Sequence, residues 1–187
     1  LPATESINRL RKLKASLVMV SSKTFAEMVE LHCELGFSDP FIVENGGGIA
    51  LGASDIVTER LRMETGSLPT EVVLGYSLIP LGGTYKELVR ELNEAILEAR
   101  VQVRGFSSMN AEEVSSITGL SLRKSILAKQ RNFDEPFLIE GGREEIERLQ
   151  KALGSRMLKI EQGGRFWHLF SHGGKGSAVS IALALFK

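Results

Sequence analysis

The N-terminal part of the chain alternates between short apolar runs and segments whose apolar residues have helical spacing. Short, continuous apolar runs are typical of strands that are covered on both faces. Thr24 stands three residues before Glu27, which predicts a capping box, and Gly36 is a typical residue for a helix end. Because helices and strands alternate in parallel α/β layers, we predict such a layer here. Its elements are a helix at 4–13, a strand at 17–20, a helix at 25–35 and a strand at 41–43.

The second part of the chain mixes strands with helices in no regular order. Asn110 is followed by two glutamates, which predicts the start of a helix. Gly163 and Gly164 separate two apolar runs, as in a β-hairpin. This pattern predicts an α+β module inserted into the first layer. Its strands are expected at 72–78, 101–103, 136–140, 157–161 and 166–170, and its helices at 85–99, 110–117, 122–130 and 143–153; a last helix at 177–186 returns to the first layer.

The charge balance and the cysteine content limit the choice of partners. In the 187 residues, 23 basic side chains balance 23 acidic ones, so nothing attracts the chain over long range to nucleic acid or to an anionic membrane. The longest stretch without charge, 72–85, is too short to cross a membrane. The single Cys33 fits a reducing, cytoplasmic setting. We therefore expect neither nucleic acid nor a membrane as a partner.

The first candidate site lies at the end of the first predicted strand. Ser21 and Ser22 follow this strand and precede a helix, where hydroxyls, free backbone N–H groups and the nearby Lys23 suit a phosphate. The alternative is that both serines are only turn and capping residues.

The second strand and the last helix offer further candidates. Asn45 and Gly46 follow the second strand in a glycine-rich turn through which a ligand can approach the backbone. Lys175 stands at the start of the last helix, where the dipole disfavours a cation unless an anion is bound. A solvated lysine in a loop is the simpler interpretation.

The predicted hairpin carries a third group. Arg165 and Trp167 are expected on one face of its second strand and His168 on the other. Arg165 suits a sugar or carboxylate ligand, and the alternative is a half-buried sheet with this arginine on its rim. Arg131 ends a helix, where a basic residue is an ordinary dipole partner. With three histidines and one cysteine, the chain has no zinc-type cluster.

Five motifs taken together identify a family. In order, they are SSKT at 21–24, FIVENGG at 41–47, AKQRNFDEPF at 128–137, GGRFWHL at 163–169 and KG at 175–176. The combination resembles the mannosyl-3-phosphoglycerate phosphatases of the haloacid dehalogenase-like superfamily with a type IIB cap, over nearly the whole chain. The resemblance implies a partial parallel-sheet core at 1–84 and 171–187, an inserted α+β cap at 85–170, and Mg²⁺-dependent hydrolysis of mannosyl-3-phosphoglycerate to mannosylglycerate and phosphate.

The resemblance also implies roles for single residues. Ser21 matches the second-motif hydroxyl that binds the phosphoryl group, with Ser22 giving a backbone contact, and Lys175 matches the third-motif lysine. Asn45 and Gly46 would line the core side of the cleft. The cap candidates for the glycerate carboxylate and the sugar are Arg131, Arg165 and His168.

The sequence departs from the family pattern in its acidic residues. Family members have a nucleophilic and an acid/base aspartate two residues apart, and a late acidic motif that binds Mg²⁺. Here Asp39, Asp55 and Asp134 are isolated and no Asp-X-Asp occurs. We expect an internal fragment whose Mg²⁺ ligands lie mostly outside these residues, and which is marginally stable, prone to aggregate and without turnover. The alternatives are a non-catalytic phosphosugar-binding protein and a phosphatase for another sugar phosphate such as glucosyl-3-phosphoglycerate.

Overall fold

The computed structural model of the protein describes residues 2–13, 15, 17–37, 39–52, 71–73, 75–171 and 174–185. Asp55, one of the three isolated aspartates, lies outside these ranges. Within them, none of the helices combines the length and the apolar character that a membrane span requires.

The first sheet contains five strands in the order β1-β2-β3-β5-β4. Only β1 and β2 run parallel, with Met19 paired to Phe41, and the other three pairs are antiparallel. The strands are β1 (Met19–Val20), β2 (Phe41–Val43), β3 (Gly48–Gly52), β4 (Glu71–Val73) and β5 (Tyr76–Pro80).

The α/β fold class is confirmed, and the two strands of the predicted parallel layer, β1 and β2, do pair in parallel. The strand expected at 72–78 in the inserted module lies instead in this first sheet, as antiparallel β4 and β5. Only four residues, 44–47, separate β2 from β3, and the first three of them form the turn Glu44–Gly46. A parallel crossover needs a dozen or more residues, so β3 has to fold back beside β2. The sequence did not predict β3, because the strand begins and ends with glycine, which is depleted in strands. The strand expected at 72–78 is interrupted at Gly75, whose φ is 82°.

The second sheet is a four-stranded antiparallel sheet in the order β6-β7-β9-β8. Its last two strands form the predicted hairpin, with Gly163 paired to Phe166 across the turn. Arg165 belongs to this turn and not to the strand, which corrects its predicted place. The strands are β6 (Gln102–Gly105), β7 (Glu135–Glu140), β8 (Lys159–Gly163) and β9 (Phe166–Phe170).

The helices follow the predicted pattern closely. Thr24 and Glu27 form the capping box of the second helix, and Gly36 ends it in the left-handed conformation with φ 62°. Asn110 caps the fourth helix as predicted. The helices are α1 (Pro2–Lys12), α2 (Phe25–Leu35), α3 (Tyr85–Ala99), α4 (Ala111–Thr118), α5 (Leu122–Ala128), α6 (Arg143–Gly154) and α7 (Gly174–Leu185).

Each sheet has its own hydrophobic core. One face of the first sheet packs on α2 through Phe25 and Met28, and the other face packs on α7 through Ala178 and Ala182. The second sheet is covered by α3 and α6 around Phe137. The first sheet ends before α3 begins and the second ends before α7, and the domain boundaries at 84 and 170 stay a prediction.

His32, in the last turn of α2, is buried among aromatic rings of the first core. The centroid of its ring lies 4.2 Å from that of Phe41 and 5.7 Å from that of Tyr76. Its Nε2 has no hydrogen-bond partner among the described residues. Burial lowers the pKa of His32 to about 4, so the folded protein holds this ring neutral.

We expect this histidine to make the protein less stable in acid. The unfolded chain takes up a proton near pH 6.5 and the folded chain does not, so the contribution of His32 is complete above that pH and is lost as the pH falls toward about 4. Between pH 7.5 and pH 5 the loss should be on the order of 1–2 kcal/mol. Urea unfolding measured at both pH values checks this. His32→Phe, which cannot titrate, should show a smaller pH dependence, and an equal dependence in both proteins contradicts the assignment.

Candidate active site

The turn between β2 and β3 contacts both of the segments that the sequence analysis assigns to phosphate. The backbone N–H of Asn45 donates to the carbonyl of Ser21 over 3.0 Å, and that of Glu44 donates to the carbonyl of Lys23 over 3.0 Å. On its other side the turn meets the start of α7 at Gly174. Ser21 and the helix that carries Lys175 are therefore joined through one short turn.

The backbone of this turn has an unusual conformation. Glu44, Asn45 and Gly46 all have positive φ, at 47°, 58° and 98°. Non-glycine residues adopt such angles at a cost, and surrounding contacts have to hold them there. A Cβ at position 46 would lie 2.5 Å from the carbonyl oxygen of Gly174, so only glycine permits this close approach.

In the loop after β1, the side chains of Ser21 and Lys23 already have local partners. The hydroxyl of Ser21 accepts from the backbone N–H of Lys23 over 3.2 Å. The ammonium of Lys23 is exposed and pairs with Glu27 at 2.8 Å. Ser21 and Ser22 are half-buried. Lys23 accordingly lies at the rim of the candidate site.

Glu44 joins the first sheet to the segment that precedes β7. Its carboxylate accepts from three consecutive backbone N–H groups, those of Asn132 at 3.0 Å, Phe133 at 2.8 Å and Asp134 at 3.0 Å. Glu44 is fully buried. Burial raises its pKa to about 7, while the charge of Arg131 and the N–H donors act in the opposite direction.

Arg131 lies beside these groups; we call the contact region of Glu44 with residues 131–134 the junction. The side chain of Arg131 is 3% exposed. The guanidinium donates to the carbonyl of Ser22 over 2.9 Å and to the carbonyl of Asp134 over 2.8 Å. Its Nε is 3.7 Å from Glu44. Arg131, predicted as a substrate ligand, thus contacts the serine loop through a backbone carbonyl.

Asp134 brings Asn45 and His168 together. The amide of Asn45 donates to its carboxylate in a short hydrogen bond, and Nδ1 of His168 lies 3.0 Å from the same oxygen. His168 leaves β9 on the face opposite to Trp167, which packs against the core of the second sheet. The predicted alternation of these two side chains is therefore confirmed.

Arg165 does not join this group in the described part of the chain. It is exposed in the hairpin turn, and its guanidinium donates to the carbonyl of Ile117 near the end of α4. This contact joins the hairpin turn to the end of α4.

Sequence reasoning missed the buried carboxylates of this region as site residues. Glu44 and Asp134 stand inside quoted motifs, but nothing in a single sequence tells a buried acid from an exposed one. A third carboxylate, that of Glu135, accepts from the hydroxyl of Tyr85 at 2.5 Å and from the backbone N–H of Ser107 at 2.9 Å. Burial raises the pKa of both Glu135 and Tyr85.

The described residues do not form a ligand set for a metal ion. Among them, no three histidine, cysteine, aspartate or glutamate side chains come close enough to hold one. The carboxylates of Glu44 and Asp134 are occupied by backbone N–H groups, Asn45, His168 and Arg131. These residues therefore do not fit the Mg²⁺ that the family resemblance implies.

Comparison with known proteins finds sequence similarity to proteins named as phosphatases of glucosyl- and mannosyl-3-phosphoglycerate. It is 34% identical over 99% of its length to glucosyl-3-phosphoglycerate/mannosyl-3-phosphoglycerate phosphatase of Persephonella marina, and spans 65% of that protein. It is 28% identical over its whole length to mannosyl-3-phosphoglycerate phosphatase of Pyrococcus furiosus, and spans 71% of it. No protein-family model matches the chain.

The fold also has a counterpart among solved structures. The crystal structure of Thermoplasma acidophilum 0175 aligns with 99% of the chain at a TM-score of 0.61 and 18% identity, and the chain covers 62% of it. The two therefore share a fold. The sequence relatives confirm the resemblance predicted from the motifs: the chain is similar in sequence to proteins named mannosyl-3-phosphoglycerate phosphatase.

Proposed function

We propose that these residues form the phosphate- and sugar-binding part of a haloacid dehalogenase-like phosphatase that converts mannosyl-3-phosphoglycerate to mannosylglycerate and phosphate. The relatives that carry this activity in their names support the proposal. The observation on which it rests is the 44–46 turn, which contacts both the carbonyl of Ser21 and the start of the helix of Lys175.

The phosphoryl group would lie between the serine loop and α7. Ser21 would bind it through its hydroxyl and Ser22 through its backbone, with Lys175 supplying positive charge. An anion here also removes the cost of a cation at a helix N-terminus. Lys23 would attract the substrate from the rim, where it is exposed and paired with Glu27.

The glycerate and the sugar would lie toward the second sheet. Asn45 and Gly46 would line the core side, and His168 would meet the glycerate carboxylate from β9. Arg131 would act through its bond to the Ser22 carbonyl. Arg165, in the hairpin turn, would reach the sugar only if the substrate extends toward α4.

The chemical step requires groups that these residues do not supply. The family resemblance implies an aspartate nucleophile and Mg²⁺, and the 187 residues contain no Asp-X-Asp. The part proposed for these residues is to bind and orient the phosphate ester and to balance its charge. We propose a cytoplasmic setting and no turnover by the 187 residues alone.

Two observations favour second candidates. The name of the Persephonella relative includes glucosyl-3-phosphoglycerate, so the sugar could be glucose. The lack of an aspartate pair in the sequence suits a binding protein without catalysis. Both candidates use the same phosphate site, and they differ in the sugar and in turnover.

Calorimetry of the 187-residue chain tests the proposal. The ligands are mannosyl-3-phosphoglycerate, glucosyl-3-phosphoglycerate and mannosylglycerate, the last being a control without phosphate. We expect a phosphorylated ligand to bind and mannosylglycerate to bind far more weakly. Equal binding of all three, or none, contradicts the proposal. Phosphate release with Mg²⁺ present is expected to be absent, and clear turnover contradicts the assignment of these residues to binding alone.

We expect Ser21→Ala and Lys175→Gln each to weaken binding of the phosphorylated ligand about tenfold, because each removes a hydrogen bond to a charged group. Lys151→Gln is the matched control, since Lys151 is exposed on α6, which packs on the second sheet. Dissociation constants from the same calorimetry check this. If the Lys175 variant behaves like the Lys151 variant, the last helix has no part in phosphate binding.

We expect Gly46→Ala to damage the site more than an equivalent change elsewhere. Gly46 has φ 98° and its Cβ would meet the Gly174 carbonyl, whereas Gly119 has φ 77° with open space around its Cβ. Gly119→Ala should cost about 1 kcal/mol from conformation alone. Gly46→Ala should cost more and also lose ligand affinity, because the start of α7 has to move. Urea unfolding and calorimetry check both variants, and equal effects exclude the close contact.

A further inference from the structure

The carboxylate of Asp134 is the point where three residues of the proposed site meet. Asn45 reaches it from the 44–46 turn, His168 from β9, and Arg131 from the segment after α5. The NH2 group of Arg131 is 3.3 Å from its Oδ2, and Nδ1 of His168 is 3.0 Å from the same atom. Asp134 itself is fully buried, so it does not present its carboxylate to solvent.

This contact fixes the state of the His168 ring. Nδ1 lies within 3.1 Å of both carboxylate oxygens, which only accept hydrogen bonds when ionised. Nδ1 must therefore carry the hydrogen, and Nε2 is the atom left for another partner. Among the described residues Nε2 has no hydrogen-bond partner, and 13% of the side chain is exposed.

The surroundings of the ring hold it in this position. The ring lies close to Gly163 of β8. A Cβ at position 163 would be only 3.1 Å from Nε2 of His168, so glycine leaves room for the ring there. Charged groups face the ring from two elements besides its own strand: Asp134 from the segment before β7, and Glu161, its cross-strand partner on β8. Asp134 is the one within hydrogen-bond distance.

The same carboxylate orients Asn45. Because the amide nitrogen donates to Asp134, the amide oxygen has to point elsewhere. The backbone N–H of Asn45 donates a hydrogen bond to the carbonyl of Ser21, and the backbone carbonyl of Asn45 lies beside Gly174. One buried carboxylate thus connects a histidine of the second sheet to the turn that borders the phosphate segments.

We infer that Asp134 is a positioning residue of the substrate site: it sets the ring state of His168 and the amide orientation of Asn45, so that both meet a phosphorylated sugar-glycerate. The inference rests on the proposed function, and adds to it a residue that touches no substrate. A purely structural acid would hold the fold without setting the hydrogen position on the imidazole.

Asp134→Asn tests this, with Asp39→Asn as the matched control because Asp39 lies outside the junction. In ¹⁵N spectra of histidine-labelled wild-type chain without ligand, we expect His168 with hydrogen on Nδ1. In Asp134→Asn the Nδ1 signal should shift and affinity for mannosyl-3-phosphoglycerate should fall on the order of tenfold, while Asp39→Asn leaves both unchanged. Circular dichroism checks that each variant is folded.

The outcomes separate this inference from the proposed function. If the wild type does not bind mannosyl-3-phosphoglycerate, both are overturned. If the wild type binds and a folded Asp134→Asn binds equally well, only the inference is overturned. If Asp134→Asn does not fold, the wild-type spectrum decides: hydrogen on Nδ1 and an Nε2 signal that moves when mannosyl-3-phosphoglycerate is added support the inference, and hydrogen on Nε2 alone overturns it.

Discussion

The Glu44 carboxylate, held by the backbone N–H groups of Asn132, Phe133 and Asp134, is the interaction on which the arrangement of the site depends. These hydrogen bonds join the turn that follows β2 of the first sheet to the segment that precedes β7 of the second sheet. Removing a buried carboxylate from water is costly unless donors surround it, and here three N–H groups and Arg131 do so. The turn that presents Glu44 is strained, and these bonds hold it in place.

Further contacts join α2, which packs on the first sheet, to α5. The hydroxyl of Thr24, which caps α2, also donates to the carbonyl of Leu127 at the end of α5 over 2.9 Å. On the surface, Arg123 of α5 pairs with Glu30 of α2 at 2.6 Å. Surface pairs of this kind add little free energy, whereas the buried bonds set the geometry. The position of the serine loop relative to His168 is thus fixed by backbone groups and buried charge.

The sequence predicted the local structure well because helix ends and apolar runs are local signals. Thr24, Gly36 and Asn110 cap helices where expected, and the hairpin around Gly163 is in place. Strand direction in the first sheet was not predictable in this way, since it depends on the turn at 44–46 and on a glycine-bounded strand. The junction could not be predicted from local patterns either, because the hydrogen bond between Glu44 and Asp134 joins residues 90 positions apart.

Amide hydrogen exchange at residues 132–134 tests the central claim most directly. If the carboxylate of Glu44 holds these three N–H groups in the folded protein, they should exchange as slowly as the amides of the first core, such as that of Ile42, although they lie in a segment without regular structure. Exchange as fast as that of the exposed hairpin turn at Gly164 would contradict the account.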